Sequence, residues 1–400
     1  MRHGPGVIFG VCVSRFADRD EGVVLGFLAV AAVSAAAVAG AIGVNTHLDF
    51  QSSAYQNLPV TEKAIEYLGV RNLRDSAQVA EDLTIWPKVA KATGTKFDDY
   101  MGEGSPALDT ADLAYVARLA GLGVLNAVEG GDENDNSYAV AQGNSIAWTA
   151  KFQRQVYATG HALGLPVINM SFGAGWTWLN DWRGDYGKVG NLSPYADYAN
   201  AHTYQNVGAT PDATILMLDA DALLAAKSRP VVTTEIGWNT AQFSQHDVAR
   251  FALDAVFDAV SAGNARLYFY ALFDDGSGAY GLMNANGSSR PAGAAVHNLT
   301  TILADSGTPR PGSLSYSLSA LSANDRTLLM EKANGAFELA VWNETAAAHM
   351  TTLRLAAPAS AIHLYDPLTG SGIKQTALGT QAITFQVPNH PVIVEVIPAK

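Results

Sequence analysis

The sequence contains a single cysteine, Cys12, so an intrachain disulfide is excluded. It also has no cluster of lysine and arginine interleaved with aromatic residues, and its formal net charge is -12. Because an acidic surface repels a phosphate backbone, this charge disfavours nucleic acid as a partner. The 400 residues are 48% hydrophobic and 16% charged. These values indicate a globular protein with one large domain and a smaller one.

Several nucleotide, metal and nucleophile motifs are also missing. No G-x-G-x-x-G follows the first apolar segment and nothing resembles a phosphate loop, which disfavours a nucleotide-binding sheet. The nine histidines form no H-E-x-x-H and no pair at metal-ligand spacing. The segment "NMSFGAG" lacks the G-x-S-x-G pattern of a serine nucleophile, so Ser171 is a poor candidate for that role.

The most acidic short stretch is "VEGGDENDNSY", residues 128–138, which raises the question of a calcium loop. Asp132, Asn134 and Asn136 match the first three ligand positions of such a loop. Its sixth position requires glycine and its twelfth a bidentate glutamate. The sequence has Ser137 and Gly143 there. A calcium loop is therefore disfavoured, and no metal site and no cofactor are predicted.

The N-terminus has an apolar run without charge at residues 22–44, preceded by Arg15 and Arg19. The small residues "AVAG" at 37–40 are typical of a signal-peptide cleavage site. We therefore predict that residues 1–40 are a signal peptide or leader. The protein would then be secreted or periplasmic, without stable membrane insertion once the leader is removed. A membrane anchor formed by residues 22–44 is the alternative.

From residue 43 to about 305, short apolar segments alternate with amphipathic segments of helical length. Eight strands are predicted, at residues 43–50, 70–76, 95–101, 123–133, 166–173, 198–205, 230–238 and 265–274. This alternation is typical of a parallel sheet covered by helices. The number and length of the units predict an α/β fold, a (β/α)8 TIM barrel over residues 41–305. An open doubly wound sheet is the alternative.

The residue pattern of the sequence changes after "SGTPRPGS", residues 306–313. Short alternating or β-branched segments follow, separated by turn signals. They include "FELAVWN", "MTTLRLA" (350–356), "AIHLYD" (361–366), "AITFQV" (382–387) and "PVIVEVIP". They predict an all-β sandwich over residues 306–400.

In a barrel of this kind, catalytic groups lie at the C-terminal ends of the strands. Glu235 stands alone at the end of the buried seventh strand, "PVVTTEIGW", and Glu133 ends the fourth. The two strands lie across the barrel mouth from each other. Opposed carboxylates about 5 to 5.5 Å apart are what a retaining glycosidase requires.

At this point the chain resembles a family. An acidic pair on strands four and seven, with an appended sandwich, is similar to the large clan A type of retaining (β/α)8 glycoside hydrolases. "VTTEIGW" and "VEGGDEND" look like its nucleophile and acid/base strands, and the segment from "YFYALFDD" to "SSRPAGAAVHNLT" looks like its closing strand and last helix. The resemblance implies that Glu235 is the nucleophile and Glu133 the acid/base. "GVRNLRD" and "AHTYQ" imply supporting roles for Arg74, His202 and Tyr204.

One position departs from the family pattern. The residue before the acid/base glutamate is normally asparagine, and here it is Asp132, which as an anion only accepts hydrogen bonds. We expect Asp132 to support the site and to raise the pKa of Glu133 by like-charge repulsion. Glu129 is the alternative acid/base residue. It lies deeper in the barrel, where a buried pair with Arg74 is the other interpretation.

Further rim residues are predicted to support or bind the substrate. His47 and Asp274 lie at the ends of the first and eighth strands. Trp176, Trp178 and Trp182 share the loop after strand five, and Trp238 follows the proposed nucleophile. Flat aromatic rings suit the C-H faces of sugars, although a tryptophan packed under its own loop is the ordinary alternative.

Together these features predict a retaining glycoside hydrolase that cleaves a β-linked polysaccharide or oligosaccharide by double displacement. The partner is the carbohydrate substrate, and the oligomeric state is left open. A transglycosylase would use the same two glutamates, and a carbohydrate-binding barrel without activity is the alternative from another class.

Overall fold

The computed structural model describes residues 27–50, 53–101, 105–173, 183–308, 312–345 and 347–399. These residues fall into two compact units. One comprises residues 40–244 and 264–290, and the other comprises the described residues up to Ala39, 245–263 and 291 onwards. Within the described ranges, no helix combines the length and the apolarity needed to cross a membrane.

Three short elements precede the barrel strands. They are β1 (Leu28–Ala31), β2 (Val33–Ser34) and α1 (Ala35–Gly40). All three lie in the segment predicted as a leader. The first part of that segment, with Cys12, Arg15 and Arg19, lies outside the described residues.

The first sheet consists of eight parallel strands that close into a ring. In chain order, this part of the chain contains β3 (Ile42–Asn45), α2 (Leu58–Leu68), β4 (Asn72–Asp75), α3 (Asp82–Thr93), β5 (Lys96–Met101), α4 (Pro106–Gly121), β6 (Leu125–Gly131), α5 (Ser137–Ala141), α6 (Ile146–Ala162), β7 (Val167–Ile168), α7 (Arg183–Lys188), β8 (Ala199–His202), α8 (Pro211–Ala225), β9 (Val231–Ile236), α9 (Gln245–Ala262), β10 (Arg266–Phe269) and α10 (Pro291–Ile302). The strand order is β7-β6-β5-β4-β3-β10-β9-β8, and a parallel bridge from Ile168 to Tyr198 joins the two ends. The predicted (β/α)8 barrel is confirmed, and β3 to β10 are its eight predicted strands.

The local sequence explains these elements, as α2 illustrates. Its buried residues, Thr61, Ala64, Ile65 and Leu68, recur at the spacing of one helical face. The helix ends at Gly69, whose φ of 72° places it in the left-handed region that glycine adopts without steric cost. Strand β4 begins three residues later, so the helix delivers Arg74 to the barrel mouth.

The second sheet is mixed and contains β11 (Ser313–Ser319), β12 (Arg326–Glu331), β13 (Phe337–Trp342), β14 (His349–Tyr365), β15 (Ile373–Val387) and β16 (Val392–Pro398). Its order is β1-β11-β14-β16-β13-β12-β2, with β15 paired to β14. The register of β14 shifts between Arg354 and Ala359, and its two halves pair with β11 and β16 respectively. Inward side chains from β11 to β16 form one apolar core, including Leu339, Leu353 and Phe385. The predicted C-terminal β-sandwich is confirmed.

Two features of this sheet differ from the sequence prediction. Residues 350–356 and 361–366 were predicted as separate strands, whereas β14 is continuous across "APAS". Strand β15 begins at Ile373, before the predicted start at residue 382, and most of the side chains in its first half are exposed. Exposed strand residues lack the apolar alternation by which a half-buried strand is recognised, which explains the later predicted start.

The segment predicted as a leader contributes to this second sheet. Strand β1 pairs antiparallel with β11, and β2 pairs parallel with β12. Cleavage after residue 40 would therefore remove two strands from the sheet. The predicted domain limits 1–40, 41–305 and 306–400 also differ from the compact units, because α9 and α10 group with the second sheet. The indole Nε1 of Trp342 in β13, for example, donates to Asp258 in α9 at 3.0 Å.

The packing of α6 on the barrel predicts a specific sensitivity to side-chain size. A Cβ at Gly160 would lie 2.6 Å from a methyl carbon of Val167 and 2.7 Å from one of Val128. We expect Gly160→Ala to destabilise the protein by about 1 to 3 kcal/mol through overpacking. The matched control is Gly121→Ala in α4, where an added Cβ meets nothing within 4 Å and alanine is the better helix former. Thermal unfolding should show a lower Tm for Gly160→Ala alone. Equal Tm values for the two variants would contradict this account of α6.

Candidate active site

The predicted polar residues meet at the C-terminal ends of four parallel strands. Arg74 lies in β4 and Glu235 in β9, while His202 is the last residue of β8 and Glu133 follows the end of β6. In the ladder between β8 and β9, His202 is the direct partner of Glu235. Parallel strands present their carboxyl ends at one edge of the sheet, so residues distant in sequence converge there.

Arg74 is the centre of this cluster and is 1% exposed. Its Nε and Nη2 donate to the two oxygens of Glu129, both at 2.7 Å. Nη2 also donates to Asp132 at 2.7 Å, and Nη1 donates to Glu235 at 2.7 Å and to Asn45 at 2.9 Å. Burial alone would lower the pKa of Arg74, but the three carboxylates raise it well above its usual value. The interpretation of Glu129 as a buried partner of Arg74 is confirmed.

Glu235 is held by two donors, one for each carboxylate oxygen. Arg74 donates to Oε1, and the Tyr204 hydroxyl donates to Oε2 at 2.5 Å. His202 Nδ1 lies 3.6 Å from the same Oε2. These contacts fix the orientation of the Glu235 carboxyl group in the cavity.

Glu133 has a different environment. Its backbone φ is 43°, a left-handed conformation that is uncommon outside glycine, and it turns the side chain towards His202. His202 Nδ1 and Glu133 Oε1 are 2.7 Å apart. Gly173 leaves room for this carboxyl group, because a Cβ there would lie 2.3 Å from Glu133 Oε2.

The protonation of Glu133 and His202 follows from their surroundings. Burial raises the pKa of Glu133 to about 7, with Glu235 and Asp132 adding like-charge repulsion. The expected effect of Asp132 on Glu133 is thus present, although burial is the larger cause. Burial alone would lower the pKa of His202, but Glu235, Glu133 and Asp132 raise it to about 10. The imidazole therefore carries a proton at neutral pH.

The two glutamates face each other across His202. One oxygen of Glu133, one of Glu235 and a ring nitrogen of His202 all lie within 4.8 Å of one another. Both carboxylates line a cavity of about 110 Å³ with His47, Tyr100, Asp132, Tyr204, Tyr270, Ser277 and Tyr280. A second cavity of about 160 Å³ adjoins it and shares Glu133, Tyr204 and Tyr280 as lining residues.

Asp132 lies directly beside the nucleophile candidate. Its Oδ1 accepts hydrogen bonds from Arg74 at 2.7 Å and from the Ser171 hydroxyl at 2.8 Å, and His202 Nε2 lies 3.4 Å away. Burial alone would raise the pKa of Asp132, but Arg74, His202 and Ser171 hold it below its ordinary value. Asp132 is therefore an anion in the cavity wall.

Two of the predicted rim residues have different surroundings. His47 lines the cavity and its Nε2 lies 3.1 Å from Asp275, which also accepts from the Tyr270 hydroxyl at 2.5 Å. The neighbouring Asp274 is not brought to the cavity, because both its oxygens accept from Arg290. Of this adjacent pair, Asp275 and not the predicted Asp274 contacts the cavity residues His47 and Tyr270. The alternation of side chains along an extended segment was the available signal, but the strand ends at Phe269, before either aspartate.

The tryptophan predictions have separate outcomes. Trp238 is 2% exposed, and its Nε1 donates to Gln205 at 2.9 Å. It is therefore packed inside the barrel rim and does not offer a face to a ligand, which corrects the prediction. Trp176, Trp178 and Trp182 lie outside the described residues.

Sequence reasoning missed four of the cavity residues. They are Ser277 and three tyrosines, because the described residues that line the cavity with both glutamates include Tyr100, Tyr204, Tyr270 and Tyr280, of which only Tyr204 was predicted. The last three form mutual edge contacts with ring centroids 5.7 to 6.1 Å apart. Tyr270 and Tyr280 lie in the segment assigned to the closing strand, but a single sequence does not distinguish a lining tyrosine from a packed one.

Two groups of side chains in the described part of the chain have the spacing of metal ligands. They are Glu129, Asp132 and His202, and Glu133, His202 and Glu235. His202 belongs to both, and a protonated imidazole does not coordinate a metal. In the first group Arg74 already supplies the positive charge to both carboxylates. The donor set therefore suits proton chemistry better than metal binding.

The acidic stretch 128–138 does not surround one point. Asp135 accepts from the Gly173 amide, Asn134 accepts from Asn144, and Asn136 caps α5 by accepting from the Ala139 amide. Asn134, Asp135 and Asn136 thus serve separate local contacts, whereas Glu129 and Asp132 both accept from Arg74.

Comparison with known proteins supports the fold. No protein-family model matches the sequence, and no curated protein matches it. Solved structures do. A monomeric β-xylosidase from Caulobacter crescentus has a TM-score of 0.62 and 12% identity, with 93% of this chain and 98% of that one covered. A family 39 glycoside hydrolase from Bacteroides cellulosilyticus has a TM-score of 0.60 and 14% identity, with coverages of 89% and 80%. The catalytic domain of the family 30 xylanase C from Talaromyces cellulolyticus has a TM-score of 0.57 and 14% identity, with coverages of 94% and 98%. The resemblance to clan A glycoside hydrolases is confirmed at the level of the fold.

The Arg74 cluster predicts a large effect on stability. Replacing Arg74 by methionine would leave Glu129, Asp132 and Glu235 buried without their cation. We expect a loss of about 3 to 5 kcal/mol in the free energy of unfolding. Without Arg74, burial would hold the carboxyl pKa values above their unfolded values. Stability would then be present at low pH and lost as pH rises through the raised pKa values.

Denaturant unfolding from pH 5 to pH 8 measures this effect. The matched control is Arg118→Met on the exposed face of α4. A pH-independent difference between the Arg74 and Arg118 variants would argue against an electrostatic role for Arg74.

Proposed function

We propose that this protein is a retaining glycoside hydrolase that cleaves a β-linked glycan by double displacement. The observation that carries the proposal is the pair Glu133 and Glu235, whose oxygens lie within 4.8 Å in one cavity at the C-terminal end of the barrel. In retaining enzymes the two carboxyl groups are about 5 to 5.5 Å apart, whereas inverting enzymes need about 6.5 to 9.5 Å to admit a water molecule. The short separation supports retention.

Glu235 is the nucleophile in this scheme. An attacking carboxylate must be oriented towards the anomeric carbon, and the hydrogen bonds from Arg74 and Tyr204 orient Glu235. In the first step an oxygen of Glu235 forms a bond to the anomeric carbon, and the bond from that carbon to the leaving oxygen breaks. Glu133 gives its proton to the leaving oxygen, so the departing group leaves as a neutral alcohol.

Glu133 then acts as the base. It takes a proton from a water molecule, whose oxygen attacks the anomeric carbon, and the ester bond to Glu235 breaks. Both carboxyl groups return to their starting states and the anomeric configuration is retained. A pKa of about 7 suits a group that must donate a proton in one step and accept one in the next.

His202 positions Glu133 in both steps. As an imidazolium it donates towards Glu133 Oε1, which leaves the other carboxyl oxygen to carry the transferred proton. The cation also offsets part of the like-charge repulsion between Glu133 and Glu235. Without it, both carboxyls would compete for a single negative charge.

Three structural neighbours support a carbohydrate substrate, since they are a β-xylosidase, a family 39 glycoside hydrolase and a xylanase. The cavity agrees with this substrate class, because tyrosine rings present an apolar face and a hydroxyl together. The geometry also bears on the alternative of an inactive binding barrel. Asp132 departs from the pattern of the active family, yet it bonds to Arg74 and Ser171 and leaves both glutamates in position.

The roles of the two glutamates are separable by chemical rescue. We expect Glu235→Ala to lower kcat by about 10⁴-fold or more and Glu133→Ala by about 10²- to 10⁴-fold. Added azide should restore turnover of an aryl β-glycoside in both variants. It should give the α-glycosyl azide with Glu235→Ala, because azide attacks the substrate directly, and the β-glycosyl azide with Glu133→Ala. Proton NMR of the anomeric signal distinguishes the two products.

A panel of aryl β-glycosides, β-glucans, xylans, mannans and bacterial exopolysaccharides provides the substrates. Glu66→Ala, on the exposed face of α2, is the matched control and should keep full activity. Full activity in Glu235→Ala would show that Glu235 is not the nucleophile, and full activity in Glu133→Ala would show that Glu133 is not the acid/base. Binding without turnover by the native protein would support the inactive-barrel alternative.

The raised pKa of Glu133 predicts the alkaline side of the pH profile. The proton needed by the leaving group is present below the pKa of about 7 and is lost above it, so kcat/KM should fall as pH rises through 7. In Asp132→Asn the like-charge repulsion is removed, and the fall should begin at a lower pH. Initial rates from pH 4 to pH 9 measure both. An alkaline limb that does not move in Asp132→Asn would contradict the electrostatic coupling.

A further inference from the structure

Beside Glu235, the cavity wall offers a hydrogen-bond acceptor on Asp132, whereas the donors of Arg74 are all in use. All five N-H groups of Arg74 have acceptors in Glu129, Asp132, Glu235 and Asn45. Arg74 therefore has no donor left for a substrate. Asp132 Oδ1 is likewise occupied by Arg74 and Ser171. Among the described residues no donor reaches Asp132 Oδ2, although Asp132 lines the cavity.

The charges around the cavity are predominantly acidic. Among the described residues, five carboxyl groups, those of Glu129, Asp132, Glu133, Glu235 and Asp275, are matched by the cations of Arg74 and His202 and by the imidazole of His47. The described residues that line the cavity include no lysine or arginine. Such a site attracts a cationic group and repels an anionic one.

The position of Asp132 relates it to one part of the sugar. Nη1 of Arg74 holds the nucleophile Glu235 and Nη2 holds Asp132, so the two carboxylates lie side by side on one guanidinium group. The anomeric carbon has two ring neighbours, the ring oxygen and C2, and only C2 carries a substituent that can donate a hydrogen bond. When Glu235 reaches the anomeric carbon, the neighbouring carboxylate of Asp132 is therefore placed to accept from the C2 substituent. An ionised carboxylate offers only acceptor oxygens and binds an ammonium group more strongly than a hydroxyl.

We propose that the sugar bound at the reacting position carries a free amino group at C2, so that the substrate is a β-linked glycan of 2-amino-2-deoxy sugars. This inference rests on the proposed function and names the substrate class of the same site. Asp132 Oδ2 accepts a hydrogen bond from the ammonium group. A uronic acid is disfavoured by repulsion from the carboxylates. An N-acetylated sugar lacks the positive charge and so cannot form the charge-assisted hydrogen bond with Asp132.

Matched aryl glycosides test the proposal. The ratio of kcat/KM for p-nitrophenyl β-D-glucosaminide to that for p-nitrophenyl β-D-glucoside is measured at pH 6 for the native protein and for Asp132→Asn. We expect a native ratio above 1 and a decrease of at least about tenfold in the variant, since a charge-assisted bond becomes a neutral one. The native ratio should also decrease as the amine loses its proton at higher pH, and this pH dependence should be absent in Asp132→Asn. A merely structural role for Asp132 would lower both rates together.

The control Glu66→Gln removes one exposed negative charge from α2 and should leave the ratio unchanged. A native preference for the glucoside, the N-acetylglucosaminide or the glucuronide would overturn the proposal while leaving the hydrolase function in place. An unchanged ratio in Asp132→Asn would do the same. Absence of turnover on every glycoside and polysaccharide would overturn the proposed function as well.

Discussion

The structure of the active site depends on one buried guanidinium group. Arg74 uses each of its five donors and links side chains from four strands, Asn45 in β3, Glu129 in β6, Glu235 in β9 and its own β4, together with Asp132 just after β6. A buried cation is costly unless it is fully paired, and here three carboxylates and an amide satisfy it. The same contacts that stabilise the charge also fix the carboxylates relative to one another. The stacking of Arg74 on Tyr100, at 4.2 Å from the ring centroid, further restricts its position.

This arrangement makes two chemically identical residues behave differently. Glu235 receives hydrogen bonds from Arg74 and Tyr204, which orient its carboxyl group. Glu133 has no arginine partner among the described residues, and burial raises its pKa to about 7. Different environments around two neighbouring carboxyl groups are a general way to obtain an acid and a nucleophile from one residue type. His202 lies between them, and its positive charge allows both groups to occupy one cavity.

Much of the barrel could be predicted because its strands are apolar and its helices end at glycines such as Gly69. Glu235 and Glu133 could be predicted because an ionisable residue at the end of a buried strand has few structural roles.

The mixed sheet could be predicted less completely from the sequence. Strands β1 and β2 lie in an apolar run that has the composition of a leader, and the pairing of β1 with β11 is a contact across almost the whole chain. Local patterns carry no information about such a contact. The predicted role of Trp238 and the choice of Asp274 rather than Asp275 both depended on the direction of a rim side chain. That direction is determined by packing and not by local sequence.

The acidic stretch at residues 128–138 shows how one short segment acquires several functions. Glu129 lies inside β6 and faces Arg74, and the strand then ends at Gly131. Because the chain turns there, Asp132 and Glu133 point to different partners, Arg74 and His202 respectively, and Asp135 anchors the Gly173 amide. The left-handed conformation of Glu133 separates its side chain from that of Asp132. An asparagine at position 132 could also accept from Arg74 through its carbonyl oxygen, so the hydrogen bond itself does not require the charge. What aspartate adds is a second acceptor with a negative charge, and that property acts on whatever group the substrate places beside the anomeric carbon.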